Sequence, residues 1–161
     1  FVFLNTSDVE CVTNEKGEPL YPHKVGFSVK QLMWFKEAVN TDKKVIVFSH
    51  VPLRNKGHFP DCISGREGLL NGENIQLADN VVATVAGHLH YDNIVYDGKM
   101  VSIDTQSGTG LVHGQWDSSC PYREYGTYTE TAFDIISVKD DVIYCTRFGA
   151  GFDRMAKIIR G

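Results

Sequence analysis

The sequence predicts an α/β fold on a mixed sheet that passes into hairpins near its carboxyl end, and three observations carry that prediction. Two β-branched apolar runs, VIVF at 45–48 and VVATVA at 81–86, are too short for helices and are bounded by polar turns, as buried strands are. The segment FSVKQLMWFKEAVN at 27–40 instead repeats its apolar residues at helical spacing. Beyond residue 92 the chain turns to strand-length runs separated by tight turns, unlike the helix-alternating first half.

Taken in order, FVFLN at 1–5 reads as a buried strand closed by the turn residues Thr6, Ser7 and Asp8. Residues 11–25 carry Gly17, Pro19 and Pro22 among mixed charges and read as a surface loop. Ser28 has the chemistry of a helix cap, with Gln31 placed to reach back to it and Phe27 to pack onto Leu32. Leu32, Phe35 and Val39 then make one apolar stripe, and Trp34 and Phe35 are expected in the core. Strand 45–48 follows, then a loop rich in Gly, Asn and charge over 54–72, a short helix expected near 73–78, and strand 81–86. Further strands are expected at 93–96, 100–104, 131–138 and 142–148, with turns at 97–98 and 139–141.

The 161 residues suit a single domain, residues 1–161, with a real core. A formal charge of −4 without any Lys/Arg cluster argues against nucleic acid as a partner, because phosphate backbones are held by clustered cations. No apolar run approaches a membrane-spanning length, and no signal peptide is visible. Cys11, Cys62, Cys120 and Cys145 are scattered with no Cys-x-x-Cys pair, which removes zinc knuckles and dithiol motifs while leaving one disulfide open. The compartment stays open with it.

Chemistry concentrates at two strand ends. Ser49 and His50 close the first internal strand, and Gly87, His88, Leu89 and His90 close the second. In open α/β sheets the crevice beyond strand carboxyl ends is where ligands bind, and neutral imidazole is the commonest protein ligand for transition metals. Residues i and i+2 of an extended segment lie roughly 6.5 to 7 Å apart, which suits two ions better than one. Two-metal hydrolytic sites hold their ions about 3.5 to 4 Å apart.

VIVFSHVPL, followed some forty residues later by VAGHLHYDN, resembles the later motifs of the calcineurin-like metallophosphoesterase superfamily, a strand ending in His and a strand ending in Gly-His-x-His. The helix FSVKQLMWFKEAV is similar to the one that precedes the first motif in many members, and the resemblance covers most of residues 1–104. It implies a four-layer α/β/β/α sandwich and hydrolysis of a phosphomonoester or phosphodiester by a metal-bound hydroxide. It further implies two divalent ions (Mn, Fe, Zn or similar), with His50 and His88 on one and His90 on the other. The family's earlier motifs, Asp-x-His, Gly-Asp-x-x-Asp and Gly-Asn-His-Asp/Glu, do not occur here. The expectation is therefore the carboxyl-terminal half of such a domain, inactive by itself, with the amino-terminal half and a phosphate ester as its partners. No catalytic acid or base can be assigned within it.

The departure has a physical consequence. Two close cations need anionic oxygen ligands to offset their repulsion, and three neutral histidines carry no negative charge. Asp8, Asp92 and Asp104 are candidate replacements, against the plainer reading of turn or surface carboxylates. Arg54 is a candidate phosphate ligand, against that of a solvated loop arginine. His23, His58 and His113 read as surface groups, with approach of His58 and His113 to the metal edge left open. RFGAGFDR at 147–154 reads as a glycine-rich exit from the last strand, with anion binding by its amides as the alternative. Trp116, Tyr122, Tyr125 and Tyr128 either line a substrate pocket or anchor their loop. Two other functional readings stand beside the phosphoesterase: a non-catalytic binding module on the same scaffold, and a mononuclear zinc hydrolase using His50, His88 and His90.

Overall fold

The computed structural model describes residues 1–8, 15–16, 27–53, 77–98, 100–106, 108 and 122–159. Five strands form a mixed sheet: β1 (Val2–Leu4), β2 (Val45–Ser49), β3 (Val81–Ala86), β4 (Asn93–Asp97) and β5 (Met100–Asp104), in the order β1-β2-β3-β5-β4. All neighbours pair in parallel except β4 and β5, which make an antiparallel hairpin that puts β4 at the edge. A second, antiparallel sheet holds β6 (Ala132–Lys139), β7 (Val142–Gly149) and β8 (Arg154–Lys157) in that order. The helix α1 (Val29–Ala38) joins β1 to β2.

Alternation along the central strands sets the layers. Val45 and Val47 of β2 join Val2, Leu4, Phe27, Phe35 and Val39 in one core, while Ile46 joins Val85, Val101 and Ile103 in another with Ile143, Cys145 and Ala156 of the second sheet. A strand covered on both faces needs apolar side chains at every position, which is why β2 and β3 read as unbroken runs. The described elements thus stack as α1, the five-stranded sheet and the three-stranded sheet. That mixed α/β arrangement agrees with the fold class expected of the sequence.

The helix starts where its cap was expected, but with a different network. Ser28 accepts from the Gln31 amide at 3.1 Å. Gln31 does not reach back to the Ser28 amide: its side chain donates to the Asn5 carbonyl at 2.9 Å and accepts from the Asn5 amide at 2.8 Å. Asp8 takes the vacated role, accepting from the Ser28 amide at 3.3 Å and from its hydroxyl. A residue four positions beyond β1 therefore closes the first turn of the next element. Phe35 is buried as expected, but Trp34 is 48% exposed, because one helical step turns it away from the sheet.

Strand β8 was not foreseen. Instead of leaving the sheet, RFGAGFDR turns the chain back so that β8 pairs with β7, Tyr144 opposite Met155. Gly149 (φ 89°) and Gly151 (φ 103°) make that bend in a region open to glycine. A Cβ on Gly149 would lie 1.9 Å from the Thr131 carbonyl oxygen. The expected helix near 73–78 falls mostly outside the described residues, as does the loop 54–72.

Candidate functional site at the strand ends

Four parallel strands finish in one row. The register pairs Leu4 with Ser49, Ser49 with Ala86 and Ala86 with Asp104, so the residues that follow emerge side by side. The Gly87 amide donates to the His50 carbonyl at 3.1 Å and the Thr105 amide to the Ala86 carbonyl at 2.8 Å, continuing the sheet one step past its strands. A cleft of about 290 Å³ opens there, lined by Leu4, Ser49, His50, Ala86, Gly87 and Thr105, with Phe3 and Phe48 on its apolar side.

Of the three histidines, His50 and His88 come together, their rings 5.2 Å apart between centroids and steeply inclined at 78°. Gly87 lies beside this pair, where a Cβ would meet His50 Nδ1 at 3.8 Å, an ordinary van der Waals contact. His88 and His90 both have positive φ, 62° and 59°. For a residue with a Cβ this left-handed conformation costs roughly 1 to 2 kcal/mol, and such outliers gather at functional sites. The Leu89 amide between them donates to the Gly87 carbonyl at 2.6 Å. The loop is a tight coil and not an extended run, so strand spacing does not set the separation of His88 and His90.

The donor set fits a metal in part. Imidazole nitrogens bind zinc at about 2.0 to 2.1 Å, and the His50 and His88 rings lie edge to face. Among the described residues, no three His, Cys, Asp or Glu side chains converge on a common point. The carboxylates considered as replacements are committed elsewhere. Asp8 caps α1, and Asp92 accepts from Arg147 at 2.6 Å and pairs with Arg154 at 2.9 Å. Asp104 is 3% exposed, and burial raises its pKa to about 7 against the lowering effects of the Asn93 hydrogen bond and the Arg154 charge. Neither Asp92 nor Asp104 is the surface carboxylate of the plainer reading. Arg54, His23, His58, His113 and Trp116 lie outside the described residues. Tyr122, Tyr125 and Tyr128 are at least 70% exposed and do not line the strand-end cleft.

A second group beside the site escaped the sequence reading. Arg147, its side chain 1% exposed, donates to Asp134 at 2.8 Å through Nε, to Asp92 at 2.6 Å through Nη2 and to the Ala150 carbonyl at 2.7 Å through Nη1. Arg154 pairs with the same two carboxylates and donates to the Asp104 carbonyl at 2.9 Å. Burial works against the Arg147 charge, but the Asp134 and Asp92 hydrogen bonds outweigh it and raise its pKa. The arginines flanking the glycine-rich turn thus face inward between the sheets.

Among the described residues, no helix is long and apolar enough to cross a membrane. No family model matches the chain, and neither does any curated protein. Among solved structures the chain is similar to the crystal structure of a dimetal phosphatase from Danio rerio, with a TM-score of 0.56 and 18% identity. That similarity covers 84% of this chain and 40% of the phosphatase, so the chain spans well under half of the protein it matches. At this identity the likeness is one of fold.

Proposed function

We propose that this chain is the carboxyl-terminal part of a metal-dependent phosphoesterase, acting on a phosphomonoester or phosphodiester. The observation that carries the reading is the contact of His50 with His88 at aligned strand ends, on a fold similar to a dimetal phosphatase. Residues 1–161 act as one unit, with His50 and His88 holding one divalent ion and His90 serving a second. Divalent ions in such a site polarise phosphoryl oxygens and lower the pKa of water. The chain's own part is to fix the imidazoles, through the Gly87 to His50 hydrogen bond and the left-handed backbone at His88 and His90. Arg54, one residue beyond Leu53, is the proposed phosphate ligand.

The remaining carboxylate ligands come, in this reading, from an amino-terminal half that also supplies the fourth layer of an α/β/β/α sandwich. Two exposed apolar faces support it. Phe133, Ile135, Phe148 and Met155 lie on the outer face of the second sheet, and the exposed Phe1 and Phe3 pack on Phe48 at the edge strand β1. Contiguous apolar surface of this kind marks an interface.

The test loads the chain, alone and extended by what its gene encodes upstream of Phe1, with Mn²⁺ and measures hydrolysis of bis-p-nitrophenyl phosphate. Turnover by the extended chain, lost in His90→Ala, is expected. An extended chain that stays inactive with Mn²⁺, Zn²⁺ and Fe²⁺, and whose metal content ignores His90→Ala, sinks the proposal. The single-zinc reading needs His90 to join His50 and His88 on one ion, and among the described residues no three such side chains converge. One zinc per chain, with turnover that needs no extension, would select it.

A further inference from the structure

We infer that Arg147 is a positioning residue of the histidine loop: through Asp92 it pins the far end of the segment carrying His88 and His90 to the second sheet. The inference rests on the metal-site reading above for its purpose, but on separate geometry for its content.

Residues 87–92 leave β3 and enter β4 through a coil with two left-handed histidines. The near end is held by the Gly87 amide on the His50 carbonyl. The far end is held by Asp92, two residues past His90, whose Oδ1 takes Arg147 at 2.6 Å and Arg154 at 2.9 Å. Both guanidiniums are anchored in turn on Asp134 of β6. The chain also folds over the contact: a Cβ on Gly151 would lie 2.5 Å from Arg147 Nη1 and 3.4 Å from Asp92 Oδ2. Covering a salt bridge with backbone keeps water from competing for it.

Stability alone is a poor reason for such a cluster. A buried ion pair loses its hydration, and well-packed apolar residues in its place are often as stable or more so. What the charges add is direction, because a guanidinium with four hydrogen bonds made in a fixed plane allows Asp92 little latitude. Left-handed histidines need that support, since the surrounding structure must over-determine a strained conformation for it to persist.

The test compares Asp92→Asn with Asp134→Asn, near-isosteric changes that each remove one carboxylate from the same two arginines. Amide hydrogen exchange is read at Gly87 and Leu89 against Val47 and Val101 of the central strands, and Zn²⁺ affinity is read by calorimetry on the full chain. Asp92→Asn is expected to speed exchange at Leu89 at least tenfold beyond the change at Val101 and to weaken Zn²⁺ binding at least tenfold. Asp134→Asn is expected to leave Zn²⁺ affinity within about threefold. If the two variants shift loop exchange and Zn²⁺ affinity alike, Arg147 is a stabilising residue only and the inference fails. If the wild-type chain takes up Zn²⁺ only when extended by the amino-terminal half, affinity is read on the extended chain; if neither chain takes it up, the metal-site reading falls and the exchange comparison alone decides the role of Arg147. Should Asp92→Asn not fold, Asp92→Glu takes its place with the same outcomes.

Discussion

Arg147 of β7 lies 2.6 Å from Asp92 on the histidine loop and 2.8 Å from Asp134 of β6, with 1% of its side chain exposed. Removing one partner of a buried pair typically costs about 3 to 5 kcal/mol, and here the lower figure applies because Arg154 still pairs with both Asp92 and Asp134. Arg147→Met is therefore expected to lower the unfolding free energy read from urea denaturation by about that much. Lys44→Met, which breaks an exposed pair with Asp141, should change stability by less than about 1 kcal/mol. Equal losses for the two would show that burial does not govern the Arg147 pair.

The glycines separate conformational strain from collision. Gly98 has φ 62° and open space around its missing side chain, so Gly98→Ala meets only the left-handed penalty, on the order of 1 kcal/mol. Gly149 has φ 89°, and its Cβ would press on the Thr131 carbonyl carbon and oxygen at 2.7 and 1.9 Å. Gly149→Ala is expected to displace the start of β6 and lower the thermal midpoint several times further than Gly98→Ala. Matching midpoints in a melting experiment would remove the backbone contact as a determinant.

Period and punctuation explain what was legible beforehand. The β-branched runs of β2 and β3 and the stripe of Leu32, Phe35 and Val39 appear in the structure where their spacing puts them. The Asp140–Asp141 turn also agrees, with φ of 50° and 61° that suit a tight hairpin. Trp34 shows the limit, since an aromatic residue beside the stripe is turned outward by a single helical step. Gln31 shows another, because its bond to Asn5 spans two elements and no local motif encodes it. The arginine cluster was within reach. In β6 the inward positions are Ala132, Asp134 and Ile136, and in β7 they are Ile143, Cys145 and Arg147. Period-two alternation thus puts one acid and one base on buried faces of neighbouring strands. What sequence could not supply is the approach of His50 to His88, which depends on the parallel register of β2 on β3.

Cys145 is fully buried between the sheets as a free thiol, and burial pushes its pKa up to about 11, with the Arg154 charge pulling the other way. The thiolate is the reacting form, so Cys145 should resist 5,5′-dithiobis(2-nitrobenzoate) at pH 8 in the native chain. Its labelling, located by peptide mass spectrometry, is expected to rise only across the urea unfolding transition. Prompt labelling without urea would mean that the second sheet opens locally.

Asp104 offers a test of the burial electrostatics through pH. Desolvation holds its folded pKa near 7, above the ordinary 3.8, although Asn93 and Arg154 favour the charged form. Between those values the folded chain binds this proton more tightly than the unfolded one, so the carboxyl stabilises the fold at low pH. That contribution is lost as pH rises from about 4 through about 7. Asp104→Asn keeps the shape and removes the titration. Its stability relative to wild type should therefore improve from pH 4 to pH 8, by up to the order of 4 kcal/mol at ~1.4 kcal/mol per pKa unit. Urea denaturation of both chains across that range provides the difference directly. A difference independent of pH would mean that Asp104 titrates near its ordinary value and that water reaches it at the end of β5.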